Sequence, residues 1–414
     1  MQDRKYDSRY AGERYIRPKY SQKSTARPVS RSSRGFKLRM SSGSVDYLFL
    51  GAVILLLAYG LIMQFSASSG TAYANFGNAY HFVIRQGAAM IVGGLLMLFT
   101  SKLDYHTYGG KVGLAAYATV AVLLVAVLVA GEEVNGAKRW IFHFQPSELA
   151  KAVIVVVLAY FLSLPNKQRD LRRLESRPGR YLASVLEGVV VPHGLIVGLY
   201  CLLLAFQPHF SCILLIVAVA AVMFVAAGIP WRHCAICGGA VVTALAVYGM
   251  SADYRMARMT SFLDPFKDMR DTGYQIVQSL YAIGSGGIFG VGLGKSRQKF
   301  QSLPEPHNDF IFSVLCEELG FLGALVLILL FVFLLYRGLK IAKNAPDLFG
   351  TLMATGFVAL VIIQAAMNIA VVTASIPATG IPLPFFSYGG SAIIVTMGEL
   401  GIVMNVSRQS KMLL

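Results

Sequence analysis

Leu303-Pro304-Glu305-Pro306-His307-Asn308-Asp309-Phe310-Ile311-Phe312 is the stretch on which the reading of this chain turns. It sets Glu305, His307, Asn308 and Asp309 at the mouth of a long apolar run over 309–336. Polar groups are scarce elsewhere: of 414 residues, 56% are hydrophobic and only 14% charged. Ionisable groups are costly in hydrocarbon, so carboxylates at the mouth of a membrane span are functional candidates by default. Further along the same run stand Glu317 and Glu318. Being adjacent, they face different directions on a helix, and at most one turns easily into a bundle. A structural pairing is expected for them.

Working outward, the mean hydropathy is +0.60, and apolar runs of ~20 residues recur, enough to cross a hydrocarbon core of ~30 Å. They fall near 46–66, 80–100, 112–131, 148–164, 188–206, 211–228, 234–251, 309–336, 348–372 and 385–406. The pattern predicts an all-α polytopic integral membrane protein of about ten transmembrane helices. Residues 1–44 are basic and poor in large aliphatics, and read as a disordered cytoplasmic tail with no cleavable signal peptide. The membrane domain takes 45–410, and 411–414 form the cytoplasmic end.

The net charge of +16 is placed for orientation, which argues against a nucleic-acid partner. With the amino terminus inside, the inner loops hold Lys102, Lys111, Lys167, Arg169, Arg172, Arg173, Arg177, Arg180, Arg232, Arg337, Lys340, Lys343, Arg408 and Lys411. The short outer loops near 67–79, 206–210 and 373–384 hold no Lys or Arg, and 131–147 brings only Lys138 and Arg139. The positive-inside rule therefore puts both termini in the cytoplasm. It also leaves a large extracytoplasmic loop, 251–308, between helices 7 and 8, and loops of that length are usually functional. Within it, 274–283 suits a short amphipathic helix. The glycines from Gly284 to Gly294 suit close backbone approach to a surface or an anionic head group.

Two motifs are set aside. Gly294-Lys295-Ser296 lacks the P-loop glycine five residues earlier, where Phe289 stands. His233 and Cys234-Ala-Ile-Cys237 have no second ligand pair for zinc. The five cysteines read as small buried hydrophobes.

The remaining polar clusters all fall on the outer side. Asp309 is either a helix cap or a carboxylate base, with Glu305 and His307 as neighbours that could serve instead. Glu148 and Lys151 are three apart on one helix face, either a plain ion pair or, with Lys138, Arg139 and Trp140, a contact for a phosphorylated, sugar-bearing lipid head group. Gln207-Pro208-His209 reads as a turn with an exposed histidine. Gly380 to Ser391, with Ser387 and Tyr388, breaks the last helix near the outer face. Gln364 and Asn368 read as interhelical hydrogen-bond partners. A transporter should show polar groups near mid-membrane with access from both sides. A one-sided outer cluster instead suits an enzyme acting on a lipid-linked substrate.

Taken in order, Asn135–Trp140, Gln145–Lys151, Tyr254–Pro265, Gly273-Tyr274-Gln275, Gly284–Gly287, Leu303–Phe312, Glu317–Gly320 and Pro382–Ser391 resemble the SEDS family (shape, elongation, division and sporulation). The resemblance covers 45–410 and is strongest to the family's division branch. It implies a peptidoglycan glycosyltransferase that polymerises lipid II at the outer face of the bacterial cytoplasmic membrane, at the division septum. Lipid II is the undecaprenyl-pyrophosphate-linked disaccharide peptide. It implies Asp309 as the catalytic residue, with Glu148 and Lys151 beside it in a central cavity; the outer-side clusters add Arg139, Lys138, His307, Glu305, Ser387 and Tyr388 as expected substrate contacts. The implied partners are a class B penicillin-binding protein transpeptidase and other divisome membrane proteins. The cofactor stays open, with a divalent cation, Mg or Mn, as one way to neutralise the pyrophosphate. A lipid II flippase and a non-catalytic divisome scaffold are the competing functions. One departure stands out: where the family has an acid after Gln-Pro, this chain has His209 followed by Phe210 and Ser211.

Overall fold

The computed structural model describes residues 43–134, 137–141, 144–165, 191–229, 238–239, 262, 264–267, 273–301 and 303–410. The described residues belong to one compact unit, Leu38–Leu414. Its helices are α1 (Tyr47–Phe76), α2 (His81–Lys102), α3 (Gly110–Ala130), α4 (Pro146–Ser163), α5 (Val191–Phe206), α6 (Phe210–Ala226), α7 (Tyr274–Ser285), the short α8 (Gln298–Gln301), α9 (Ile311–Lys343), α10 (Leu348–Val372) and α11 (Gly390–Gln409). Among the described residues, seven helices are long and apolar enough to cross a membrane, and α5 and α6 are shorter apolar helices. Most of the expected run 234–251, of the 1–44 tail and of the 251–272 part of the outer loop lies outside the described residues, as do Cys234, Cys237 and the basic loop residues from 167 to 180. One element departs from an all-helical reading. Between α3 and α4, Glu132–Val134 (β1) and Ala137–Trp140 (β2) pair as an antiparallel hairpin.

Burial sorts the helices. α4, α10 and α11 are mostly enclosed, whereas α2 and α3 turn most of their surface outward. α10 is the central post, packing against α4, α6, α9 and α11. α2 and α11 approach closely because their facing residues are small. A Cβ on Gly401 would stand 2.0 Å from Thr100 Oγ1, and that hydroxyl donates to Gly398 O at 3.0 Å. Without a hydrophobic force between lipid-immersed helices, such close packing and interhelical hydrogen bonding hold them together.

α9 is not one straight helix. Gly320 sits at φ 67° and ψ −164° inside it, which takes backbone groups on both sides out of the helical ladder. The glycine-rich segment 286–294 fills the breach. Val291 N donates to Glu317 O and Gly292 N to Glu318 O, both at 2.9 Å, while Phe321 N and Leu322 N donate to Gly287 O and Ile288 O at 2.9 and 3.1 Å. Irregular backbone survives at this depth because each breach supplies the other's partners. The glycines anticipated as a contact for a surface or head group thus approach the backbone of α9. A Cβ on Gly290 would stand 2.1 Å from Glu318 O, and one on Gly320 would stand 2.3 Å from Gly290 N.

The kink also changes the expectation for Glu317 and Glu318. Both are buried, not one. Glu318 pairs with Lys299 at 2.7 Å and accepts from Ser66 of α1. Glu317 accepts from Arg297 N at 2.8 Å and from the Ser296 hydroxyl. The structural pairing expected from sequence therefore involves both carboxylates. α7 covers 274–285 as an amphipathic helix and packs on α9 and α10. Its buried Ser279 shares a hydrogen bond with Ser313 and donates to Val372 O, both at 2.6 Å.

At the end marked inner by the basic loops, polar side chains tie distant elements together. Asp46 caps α1 at Phe49 N, 2.9 Å away, and pairs with Arg337 of α9. Arg408 donates to Gly43 O at 2.8 Å. His106, on a short turn between α2 and α3, bridges Asp104 at 2.7 Å and Asp347, the α10 cap, at 2.6 Å. The Asp347 hydrogen bond is the largest influence on His106 and holds its imidazole above the usual value. Burial pushes both aspartates up, but hydrogen bonds outweigh it, from Gln409 and His106 to Asp104 and from His106, Gly350 N and Tyr105 to Asp347. Both stay below the ordinary carboxylate value.

Candidate functional site

The opposite end gathers the outer segments, and α10 organises them. Gln364 and Asn368 lie four residues apart, hence on one face of α10. Gln364 accepts from Lys151 Nζ at 2.9 Å and donates to Pro382 O at 3.0 Å. One turn further, Asn368 Nδ2 donates to Asp309 O and to Ile381 O, both at 2.7 Å. Two amides expected to be plain interhelical partners thus join α4, the entry to α9 and the segment before α11.

Pro146 opens α4, and Glu148 lies in its first turn, where a carboxylate complements the helix dipole. One turn on, Lys151 Nζ stands 2.8 Å from Glu148 Oε2, with both side chains under one-tenth exposed. A buried pair of this kind is stable only with good geometry and further hydrogen bonds, and Gln364 supplies one.

Arg139 reaches this side from the hairpin. The β1–β2 ladder opposes Glu133 to Lys138 and Glu132 to Trp140, slipping by one residue. Arg139 falls on that bulge, a feature that re-aims a side chain. Its guanidinium donates to Pro208 O at 2.5 Å. Lys138 stays exposed on the strand.

The turn that Arg139 grips carries His209. The sequence suggested an exposed imidazole, but His209 is only 7% exposed. Gln207 pins the turn to α3 by donating to Leu124 O at 2.8 Å, and this draws the ring inward. Burial first, then the positive charges of Arg139 and Lys151, push the imidazole down to about 3. It is neutral at physiological pH, and its Nδ1 is buried without a hydrogen-bond partner.

The segments 303–310 and 380–389 form the other half of the site. Tyr388 N donates to His307 O at 2.9 Å. The Ser387 hydroxyl donates to Asn308 O and accepts from Leu383 N, each at 2.7 Å. Ser387 therefore stitches two loops together. The His307 ring packs between Phe82 of α2 and Tyr388, at centroid distances of 4.5 and 6.1 Å. Burial lowers its imidazole against the pull of Glu305, whose carboxylate lies 3.8 Å away. Glu305 is exposed, at φ 51° in the tight turn, and accepts from Asn308 Nδ2 at 2.6 Å.

Asp309 is half-buried, just ahead of α9. The N-cap position is Phe310, one residue beyond Asp309, so the capping position read from sequence is displaced. The Asp309 carboxylate lies against Gly380, where a Cβ would stand 3.0 Å from Oδ2. The architecture thus brings Asp309, His307, Glu305, Ser387 and Tyr388 into one knot. Glu148, Lys151, Arg139 and His209 form a second, and α10 links the two. Such an array can accept a proton at Asp309 and neutralise an anion at Arg139 and Lys151. Among the described residues, no three His, Cys, Asp or Glu side chains converge as a metal set.

Sequence reasoning passed over Glu399. It is a buried acid of α11 at 4% exposure, and α11 packs against α4, the helix of Glu148 and Lys151. A lone carboxylate inside an apolar run was the available signal.

Known proteins bear on this arrangement. The profile of a family described as "Cell cycle protein", spanning FtsW, RodA and SpoVE, matches residues 46–412. "Stage V sporulation protein E" of Bacillus subtilis (strain 168) is 40% identical over 374 residues, covering 89% of this chain and 98% of its own. A "Probable peptidoglycan glycosyltransferase FtsW" of Geobacter sp. (strain M18) is 38% identical, covering 88% and 97%. Among solved structures, a chain from work on "polymerization and crosslinking by a peptidoglycan synthase complex" superposes with a TM-score of 0.69 at 29% identity, covering 89% of this chain and 99% of that one. The Thermus thermophilus "Rod shape determining protein RodA" superposes with a TM-score of 0.63 at 29% identity, covering 89% and 98%.

Proposed function

The chain belongs to this SEDS family of multi-pass membrane proteins, and from that premise we infer that it is a peptidoglycan glycosyltransferase that polymerises lipid II. The observation that carries the reading is the α10 bridge. Asn368 holds the backbone of Asp309, and Gln364, one turn away, holds Lys151. A proton acceptor and a cation are thereby fixed to one rigid element, which favours a reaction that needs both at set positions.

In this reading, a sugar hydroxyl of one substrate attacks the anomeric carbon of the other. The new glycosidic bond forms as the bond to undecaprenyl pyrophosphate breaks. Asp309 takes the hydroxyl proton. Lys151 and Arg139 meet the departing pyrophosphate, with Lys138 at the approach, and Glu148 positions Lys151. His307, Tyr388 and Glu305 offer an aromatic and carboxylate wall to the sugar, and Ser387 holds the two loops that form it. The partner is a class B penicillin-binding protein. Likeness to a chain of a synthase complex that polymerises and crosslinks supports this. We assign the work to the division septum. The 40% identity to a sporulation protein favours the wall made during spore formation as a second setting.

The test is polymerisation of purified lipid II by the protein in detergent with its partner added, wild type against Asp309→Asn. Long glycan strands from wild type alone are expected. Strands from both would move the base to Glu305 or Glu148. No strands from either, with movement of labelled lipid II across vesicles, would favour a flippase. Neither activity, with partner recruitment intact, would favour a scaffold.

A further inference from the structure

The outer loop is not polar throughout. Gly284 to Gly294 holds no ionisable side chain. It turns four apolar ones outward, Ile288, Phe289, Val291 and Leu293, with Phe289 78% exposed. Just beyond them, Lys295 and Arg297 are exposed as well. Scattered apolar residues on a surface are ordinary, but four on one short loop mark a contact.

Depth is the first observation that says what covers them. Arg337 pairs with Asp46, the cap of α1, at the end marked inner by the basic loops. Between Gly320 and Arg337, α9 rises about 25 Å. A hydrocarbon core is about 30 Å thick, so Gly320 falls inside the outer leaflet. The loop lies directly against it: a Cβ on Gly320 would stand 2.5 Å from Ile288 O. Ile288 and its exposed neighbours thereby adjoin the outward face of α9, where Phe321, Leu322, Leu325, Val326 and Leu329 are all exposed.

The backbone is the second. Hydrocarbon offers no hydrogen bonds, so irregular backbone enters it only with its polar groups paired. This loop is built that way. Val291 N and Gly292 N are held by Glu317 O and Glu318 O, and Gly287 O and Ile288 O accept from Phe321 N and Leu322 N. Gly290 N turns back to Gly286 O at 2.8 Å, and the Ser285 hydroxyl donates to Ala282 O at 2.9 Å.

We propose that 286–294 is a re-entrant loop, with Ile288, Phe289, Val291 and Leu293 among the acyl chains of the outer leaflet. Lys295 and Arg297 stand at the level of the head groups, as long cationic side chains do at a membrane interface. The glycines give the close approach to α9, and the apolar residues between them meet lipid. The chain then runs through α8, where Leu303 N donates to Gln298 O at 2.9 Å, into the 303–310 knot. The bilayer contact thus lies one short helix ahead of Asp309. The placement does not depend on the enzymatic reading.

Tryptophan fluorescence of the full chain in nanodiscs tests it. Trp140 and Trp231 are the native tryptophans, and wild type gives their baseline. Phe289→Trp exchanges one exposed aromatic for another. Leu329→Trp, on the outward face of α9, is the lipid reference. Lipids brominated along their acyl chains are expected to quench the added emission of Phe289→Trp as they quench that of Leu329→Trp, and iodide in the buffer to leave it unchanged. Bromine near the head groups should act more strongly on Phe289→Trp than bromine near the chain ends. Quenching by iodide and not by bromine would place the loop in water and overturn the proposal. Quenching by neither would mean that protein covers the loop, from this chain or a second copy, and would overturn it too. Leu293→Trp repeats the measurement if Phe289→Trp does not fold.

Discussion

The Lys299 ammonium donates to the Glu318 carboxylate at 2.7 Å, with both side chains sealed from solvent. It also donates to Ser66 O of α1 at 2.9 Å, so the pair joins α1, α8 and α9. Removing one partner leaves a buried charge uncompensated, at a cost of about 3–5 kcal/mol. Lys299→Met and Glu318→Gln are each expected to lower the unfolding temperature in detergent sharply. Combining them should cost less than the sum of the two, because neither charge is then stranded. Additive losses would mean that the pair is not coupled.

The breach in α9 makes a prediction about glycines. Gly320→Ala meets Gly290 N at 2.3 Å and keeps a φ of 67°, a left-handed conformation that L side chains resist. Destabilisation of several kcal/mol is expected, since backbone atoms cannot yield as a flexible side chain can. Gly284→Ala is the control. It lies in α7 with nothing within 4 Å of the new Cβ, and alanine in a helix gains about 0.5–1 kcal/mol. Thermal unfolding of the two variants should move in opposite directions.

Asn368→Ala removes two hydrogen bonds, to Asp309 O and to Ile381 O. The carboxylate remains but its backbone is released. A small misplacement near the chemistry costs on the order of 100-fold in rate. A drop of that order in kcat for lipid II polymerisation is expected, with KM changed far less. A variant with wild-type kcat would remove α10 from the account of Asp309.

The inner clasp makes stability depend on pH. His106 is raised by Asp347 and Asp104. Its contribution is full below the ordinary histidine value of 6.5 and fades as pH climbs through the raised value. Asp104 and Asp347 are lowered, so theirs is full above 3.8 and fades as pH falls. The clasp should therefore be strongest between those limits. His106→Asn is expected to flatten the alkaline fall in unfolding temperature, by a modest amount because the imidazole is half exposed. An unchanged alkaline slope would dismiss the clasp.

Much of this was legible in one dimension. The periodic apolar runs announced the helices, and α2, α3 and α10 begin and end within two residues of the ranges read from sequence. α1 and α9 run further, because an apolar run marks where hydrocarbon begins and not where hydrogen bonding stops. The last helix starts at Gly390 and not at 385. Phe385, at φ 71°, is an apolar residue whose backbone cannot be helical. The polar knot at 303–310 and the Glu148–Lys151 face were visible because such groups are rare in a chain of this composition.

What the amino-acid sequence determined by itself was the membrane class and the small set of polar residues among which chemistry must be sought, and its basic loops set the expected orientation. These depend on composition and local spacing. Tertiary structure alone decided that Gln364 and Asn368 bridge Lys151 to Asp309, that His209 is drawn inside as a neutral ring, and that Glu399 is buried on a helix packed against α4. It also decided that a broken α9 is completed by a glycine loop upstream. Each of these joins residues far apart in the chain, and burial turns a tolerable polar group into one that must find a partner.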